Sequence, residues 1–339
     1  PSPLSAGCLS SLKRYAMNRT YLRQLLTLNI HRLLITAEGL SSAMMEAFPL
    51  VPADSLQPTS FFFNENPPTY KETSKKALSL LQQEMKARSE LQGITVTDDF
   101  SSDEIPEGSI AYHRIWGFIT SDCRWYFSSK QFERDLLAAE SNPAITCHFL
   151  HVNSPGGEAW YMDRLSETMR SLSKPIISLV EQCNCSASYY ITCHSGFIAA
   201  LTANDTIGCI GTMISTYNYD GWLEKMGIER VQAKATKSDL KNKKTEDLLG
   251  GKPAQYIKEE LDPLNEQFLA AVLASRPQLG SLPEDDPVFR GETFDTQHAI
   301  EKGLVDASMT FPEAIVKAAE LGRSYMEIET IKRSALNYL

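Results

Sequence analysis

The sequence is short of positive charge, of histidine and of long apolar runs, and each shortage narrows what the chain can do. Lys and Arg number 33 against 42 Asp and Glu, a formal net charge of −9. Gripping a phosphate backbone usually takes a basic excess, so nucleic acid is not expected as a partner. The seven cysteines are scattered and odd in number. They show no paired metal-ligand spacing, and Cys183-Asn184-Cys185 is too tight for the usual zinc pattern. No metal and no cofactor are expected, and the thiols read as small, reduced, buried residues of a cytoplasmic protein. The most apolar early run, Leu25 to Ile35, is too short to cross a bilayer and is interrupted by Asn29, His31 and Arg32. No membrane span is expected. A basic-then-apolar signal peptide is absent too, and residues 1–16 read as a leader ahead of Met17. There is no internal repeat and no glycine-flanked hydrolase serine motif.

What is present is an ordinary globular composition, 42% hydrophobic and 22% charged over 339 residues. That suffices for one large α/β domain with an appendage. Residues 17–50 carry apolar positions at helical spacing, Leu22, Leu26, Ile30, Leu33 and Leu34, ended by Pro49 and Pro52. A second helix is expected from Lys71 to Leu91, with Leu78, Leu81 and Met85 on one face. Residues 1–91 thus read as a helical N-terminal extension. Residues 92–106, acidic and aperiodic, read as a linker. From residue 107 to 310, strands and helices alternate. Strands are expected over 110–120, 145–152, 176–180, 197–201 and 208–214. Helices are expected over 132–140, through Met162, Leu165, Met169 and Leu172, over 220–226, and over 254–274 with a kink at Pro263. Alternation of this kind predicts βαβ units and a parallel sheet covered on both faces. Residues 311–339 read as a C-terminal amphipathic helix, over 312–322, and a tail.

Three local features carry chemistry. Asn153-Ser154-Pro155-Gly156-Gly157 follows an apolar strand and precedes a helix. Adjacent glycines let the backbone approach a ligand, and N–H groups at a helix start lack partners, which suits an oxyanion hole. Read alone, it is sooner a plain strand-to-helix turn. Cys185-Ser186-Ala187-Ser188-Tyr189-Tyr190 also links a buried strand to a helix. A serine there is a nucleophile candidate or a simple N-cap. The third feature is the lysine-rich stretch from Lys237 to Lys244, most of it a solvated loop. A lysine acting as general base must be neutral, its pKa lowered from about 10.4 to roughly 7–8.

Taken together these features resemble the signal peptide peptidase A family of serine–lysine peptidases, on the ClpP/crotonase-like spiral of βαβ units. The resemblance runs from about Ser109 to Asp306. Asn153 to Gly157 resembles the family's oxyanion segment. Ser186, two small residues and Tyr189-Tyr190 resemble its nucleophile segment. Gly208-Cys209-Ile210-Gly211 resembles a glycine-framed strand behind the site. Lys237-Ser238-Asp239-Leu240-Lys241 resembles its lysine loop, one residue shorter. Gly291, Phe294, Ala299 and Gly303-Leu304-Val305-Asp306 resemble its closing motif. The resemblance implies Ser186 as nucleophile and Lys241 as base, with Lys237 as the alternative base. It implies oxyanion donors at Gly157 and Ala187, supported by Gly156. Where the family often has a lysine-orienting serine stands Cys209, a weaker hydrogen-bond partner that Thr212 could replace. Ser188 is a rival nucleophile with the wrong spacing to the tyrosines.

The implied activity is peptide-bond hydrolysis by a Ser–Lys dyad, on protein or peptide substrates, in a homo-oligomeric ring. Anchorless relatives suggest a phage or prophage prohead protease acting on capsid or scaffold proteins, in the host cytoplasm or procapsid. The alternatives are a cytosolic peptidase degrading signal peptides, and a catalytically decayed scaffold or shell component. A histidine triad would need one of His31, His113, His148, His151, His194 and His298 at the serine. An acyl-CoA enzyme of the crotonase type would leave Ser186 and the lysine loop without a role.

Overall fold

From Ser109 onward the long central strands are buried on both faces and most of the helices between them bury one face, as in Ile145–Ser154 and Ser129–Ser141. The computed structural model describes residues 33–35 and 68–336, apart from 217, 219, 226 and 228. It begins with strand β1 (Leu33–Ile35), helix α1 (Tyr70–Lys86) and strand β2 (Val96–Thr97). Strands β3 (Ser109–Trp116), β4 (Ile119–Thr120) and β5 (Phe127–Ser128) lead into helix α2 (Ser129–Ser141). Next come β6 (Ile145–Ser154), β7 (Gly156–Glu158), α3 (Met162–Ser171), β8 (Ile176–Cys185) and α4 (Ala187–Thr192). Then follow β9 (Phe197–Ala200), β10 (Thr206–Gly208), α5 (Asp220–Lys225), α6 (Lys243–Leu249) and α7 (Asp262–Ser275). The chain closes with β11 (Thr293–Phe294), α8 (Thr296–Lys302), β12 (Ala307–Ser308) and α9 (Phe311–Leu336).

The main sheet has the order β11-β10-β8-β6-β3-β2, with β9 and β12 branching from β8. All its pairings are parallel except that of β10 with β11. The expected α/β architecture with a mostly parallel sheet is therefore present. A second, small sheet has the order β1-β7-β4-β5. In β6, Leu150 and Val152 face one apolar layer while Cys147 and Phe149 face another, the alternation of a strand buried on both sides. The first layer is filled from α2, α3, α4 and α7 by Phe132, Leu136, Leu165, Met169, Tyr189 and Phe268. The second is filled from α1 and α9 by Leu78, Met85, Ala314, Ile315 and Ala318.

Several expectations are corrected. Leu33 and Leu34, read as helical, lie with Ile35 in strand β1, and the remainder of 17–50 falls outside the described residues. Leu78 to Val96, read as extension and linker, shares one apolar cluster with Ile110, Tyr112 and Phe149 of the main sheet. The strand expected over 208–214 stops at Gly208, because Cys209 turns to φ 51°. Residues 254–274 form a helix interrupted by a π turn, Ile257–Leu261, just ahead of Pro263. Pro263 has no N–H to give, and the looser turn accommodates the missing bond. The last helix runs on to Leu336.

Two buried histidines sit between α2 and the sheet. His113 Nε2 meets His148 Nδ1 at 3.1 Å, and His148 Nε2 meets Glu140 Oε2 at 3.2 Å. Burial pushes both imidazoles below their ordinary value of 6.5, His113 far below, while the Glu140 carboxylate opposes the shift at His148. On acidification the unfolded chain takes up these protons first, so their contribution is full above the ordinary value and is lost as pH falls toward the folded values. The urea midpoint is expected to be lower at pH 5 than at pH 7.5, and the difference is expected to shrink in His113→Phe. Equal wild-type midpoints at the two pH values would contradict this.

Candidate active site

Ser186 stands where β8 ends and α4 begins, at φ 58° and ψ −121°. A side chain bearing Cβ is strained there, at a typical cost of about 1–3 kcal/mol, so surrounding bonds must hold the residue in place. They do. The Ser186 N–H donates to the Gly208 carbonyl at 2.9 Å, and its own carbonyl accepts the first helical bond of α4 from Tyr190 N–H at 2.9 Å. Gly208 itself sits at φ 119°, and a Cβ there would lie 2.7 Å from the Glu292 carbonyl. Only glycine fits that junction. On its far side β10 pairs with β11, Ile207 opposite Phe294, so the glycine-framed strand and part of the closing motif meet behind Ser186.

The tyrosine pair anchors α4. Tyr189 is fully buried and its hydroxyl donates to the Leu304 carbonyl at 2.9 Å. Tyr190 stacks on Phe268 with ring centroids 4.6 Å apart. Burial pushes its phenol up to about 12, so it stays neutral. Next to Leu304, Asp306 accepts a bidentate pair from buried Arg276 at 2.8 and 2.9 Å and the Ile198 N–H at 2.7 Å. The closing motif is thus a clamp on the helix that Ser186 opens. The rival serine, Ser188, is engaged: its hydroxyl donates to Asn184 Oδ1 at 2.8 Å. Ser186 Oγ is buried and has no hydrogen-bond partner. Leaving a buried hydroxyl unpaired typically costs about 1–3 kcal/mol, which structure alone does not require here.

Gly156 and Gly157 lie in strand β7 rather than at a helix start, since α3 begins only at Met162. β7 lies between β4 and β1, with Gly157 opposite Ile119 on one side and Leu34 on the other. A Cβ at Gly157 would collide with the Ile119 backbone, so this glycine is set by a neighbouring strand. α4 packs against β7, the strand that carries Gly157.

The lysine loop is not closed onto the serine. Lys237 lies in a short turn, Thr236–Ser238, and both it and Lys241 are exposed. Lys234 pairs with Glu246 at 2.8 Å, Lys243 with Asp247 at 2.5 Å, and Lys244 with Glu259 and Glu260 at 2.7 and 2.8 Å. Among the described residues, no carboxylate pairs with Lys237 or Lys241. Thr212 Oγ1, like Ser186 Oγ, is buried with no partner. Cys209 follows Gly208 and donates its N–H to the Glu292 carbonyl at 2.8 Å.

Each of the described histidines has a partner other than Ser186, although His194 Nε2 is buried and unpaired. His151 is held by Tyr112 and Glu181, His194 by Ser275, and His298 by Asp295. His31 lies outside the described residues. Among the described residues, no group of three or more His, Cys, Asp or Glu is placed to hold a metal ion. No described helix is long and apolar enough to cross a membrane. One structural residue escaped the motif reading. The Asp205 carboxylate accepts the N–H groups of Gln182, Leu201 and Thr202 at 2.8–3.0 Å, tying β8, β9 and β10 together. The turn signal Thr202-Ala203-Asn204-Asp205 was its only sequence mark.

Residues 168–324 match Peptidase family S49. That span holds Ser186, Lys237, Lys241 and the closing motif, and begins after Gly156-Gly157. The chain is similar to Protease 4 of Haemophilus influenzae, with 29% identity over 56% of this chain and 30% of that protein. It is also similar to Protease 4 of Salmonella typhi, with 22% identity over 74% of this chain and 38% of that protein. The chain spans less than two thirds of the length of the curated relatives it matches. Among solved structures, a membrane-bound stomatin-specific protease in complex with a substrate peptide has 15% identity, with 62% of this chain and 78% of that chain covered and a TM-score of 0.38. An enoyl-CoA hydratase/isomerase family member has 14% identity, with 67% and 74% covered and a TM-score of 0.38.

The backbone at Ser186 makes a prediction that needs no substrate. Ser186→Ala keeps a Cβ at positive φ, whereas Ser186→Gly removes it. The glycine variant is expected to be the more stable of the two by about 1 kcal/mol in urea unfolding. A glycine variant less stable than the alanine variant would mean the junction is unstrained.

Proposed function

We propose that this chain, which carries a peptidase family S49 match over residues 168–324, is a serine endopeptidase with Ser186 as nucleophile and Lys241 as general base. The observation that carries the reading is Ser186 itself, held at φ 58° and ψ −121° with its Oγ buried and unpartnered. Strain and an unmet polar atom at one serine have a reason if that oxygen reacts. For the base, a carboxylate partner stabilises an ammonium and opposes deprotonation. That disfavours Lys234, Lys243 and Lys244, and leaves Lys241 with Lys237 as the alternative.

In the proposed reaction the neutral lysine removes the Ser186 Oγ proton and the oxygen attacks a peptide carbonyl. The N–H groups of Gly157 and Ala187 hold the oxyanion, where losing one donor typically costs about 3 kcal/mol. The lysine protonates the leaving amine, then activates water for deacylation. Thr212 or Cys209 would orient the lysine once the loop closes. Closure brings the loop down from solvent, within one chain or between copies of a homo-oligomeric ring. Val231 and Leu240, 88% and 76% exposed on that loop, suit burial on closure. Substrates are protein or peptide segments. A capsid-maturation role on shell and scaffold proteins rests on the sequence resemblance, with degradation of signal peptides as the alternative.

A fluorophosphonate probe is expected to label the wild-type chain at Ser186 and to leave Ser186→Ala unlabelled, read by peptide mapping. Lys241→Ala is expected to lower casein cleavage at least a hundredfold while folding is retained. Loss in Lys237→Ala alone would move the base to Lys237. A chain that stays folded yet takes no label, both as wild type and as a Leu34→Pro variant that unpairs β1 from β7, would overturn the reading in favour of a decayed scaffold.

A further inference from the structure

β1 lies in a place that the proposed chemistry needs. Its three residues pair antiparallel with β7: Leu33 opposite Glu158, Leu34 opposite Gly157 and Ile35 opposite Gly156. The other side of β7 is already taken by β4. β1 therefore fills the remaining edge of the strand that carries Gly157. Helix α4, which Ser186 opens, packs on both β7 and β1. One extended segment of this chain thus runs along the oxyanion strand and beside the nucleophile helix. Ser186 is only 1% exposed. A nucleophile that must meet a peptide carbonyl is here closed to one.

An unpaired strand edge recruits an extended peptide through main-chain bonds, and one edge takes one strand at a time. A peptide docked on β7 would meet both Gly157 and α4. That position is filled from within the chain. A tethered competitor acts at a high effective concentration even when its own contacts are few. Three residues of pairing are also few enough to be displaced.

We infer that Leu33–Ile35 is an internal substrate-mimicking strand that occupies the peptide-binding edge of β7 and keeps the site closed. Release of this strand opens the edge to an extended polypeptide, which pairs antiparallel with β7 in the place of β1. The inference rests on Ser186 as nucleophile and Gly157 as oxyanion donor.

The test compares fluorophosphonate labelling of Ser186 in the full-length wild type and in Leu34→Pro, which removes a strand N–H and its pairing. Circular dichroism checks folding. Labelling is expected to be at least about tenfold faster in Leu34→Pro. Adding a synthetic peptide of residues 30–38, Ile-His-Arg-Leu-Leu-Ile-Thr-Ala-Glu, is expected to slow it again, while a scrambled peptide does not. Leu34→Gly, a milder disruption, is expected to shift the rate severalfold in the same direction and serves if the proline variant fails to fold. Folded variants that label at the wild-type rate would overturn the inference. Slower labelling would also overturn it, because β1 would then complete the site instead of closing it. If neither wild type nor variants label while folded, the peptidase reading falls and takes this one with it.

Discussion

The site depends on one hydrogen bond, from the Ser186 N–H to the Gly208 carbonyl at 2.9 Å. It ties the end of β8 to the end of β10 at the point where the chain turns into α4. A serine left without such a restraint relaxes from positive φ to an allowed region. Gly208 can take its part only because it lacks a Cβ against Glu292. The strained residue and the glycine that restrains it are therefore a single device.

Other restraints converge on the same turn from distant parts of the sequence. Tyr189 reaches the Leu304 carbonyl, Arg276 pairs with Asp306, and Asp306 holds the start of β9 through Ile198. A buried ion pair is a weak source of stability, but removing one partner leaves an uncompensated charge. The clamp thus fixes position more than it adds stability. This is how short motifs far apart in the chain become one structure: each is a turn or an anchor around α4.

Much of this was legible in the sequence because it is local. Apolar runs bounded by turn residues marked β6 and β8, and helical spacing marked α3 through Met162, Leu165 and Met169. Gly208 and Ser186 were marked by their places beside strands. Nonlocal features were not legible. Leu26, Ile30, Leu33 and Leu34 fit a helical stripe, and pairing with β7, far along the chain, overrides that local pattern in β1. That the Ile119 backbone leaves no room for a Cβ at Gly157 is likewise a nonlocal fact. The choice between Lys237 and Lys241 depends on how an exposed loop closes, which spacing alone does not encode.

The central claim is that Ser186 Oγ is the reacting atom, addressed by Gly157, Ala187 and a lysine of the 237–241 loop. A crystal structure of the full chain with an apolar peptidyl boronate tests it most directly. The account predicts a boron–oxygen bond to Ser186 Oγ, a boronate oxygen within hydrogen-bond reach of the Gly157 and Ala187 N–H groups, and the Nζ of Lys241 or Lys237 beside Ser186. An unmodified Ser186, or a boronate bonded to Ser188 or another serine, would contradict it.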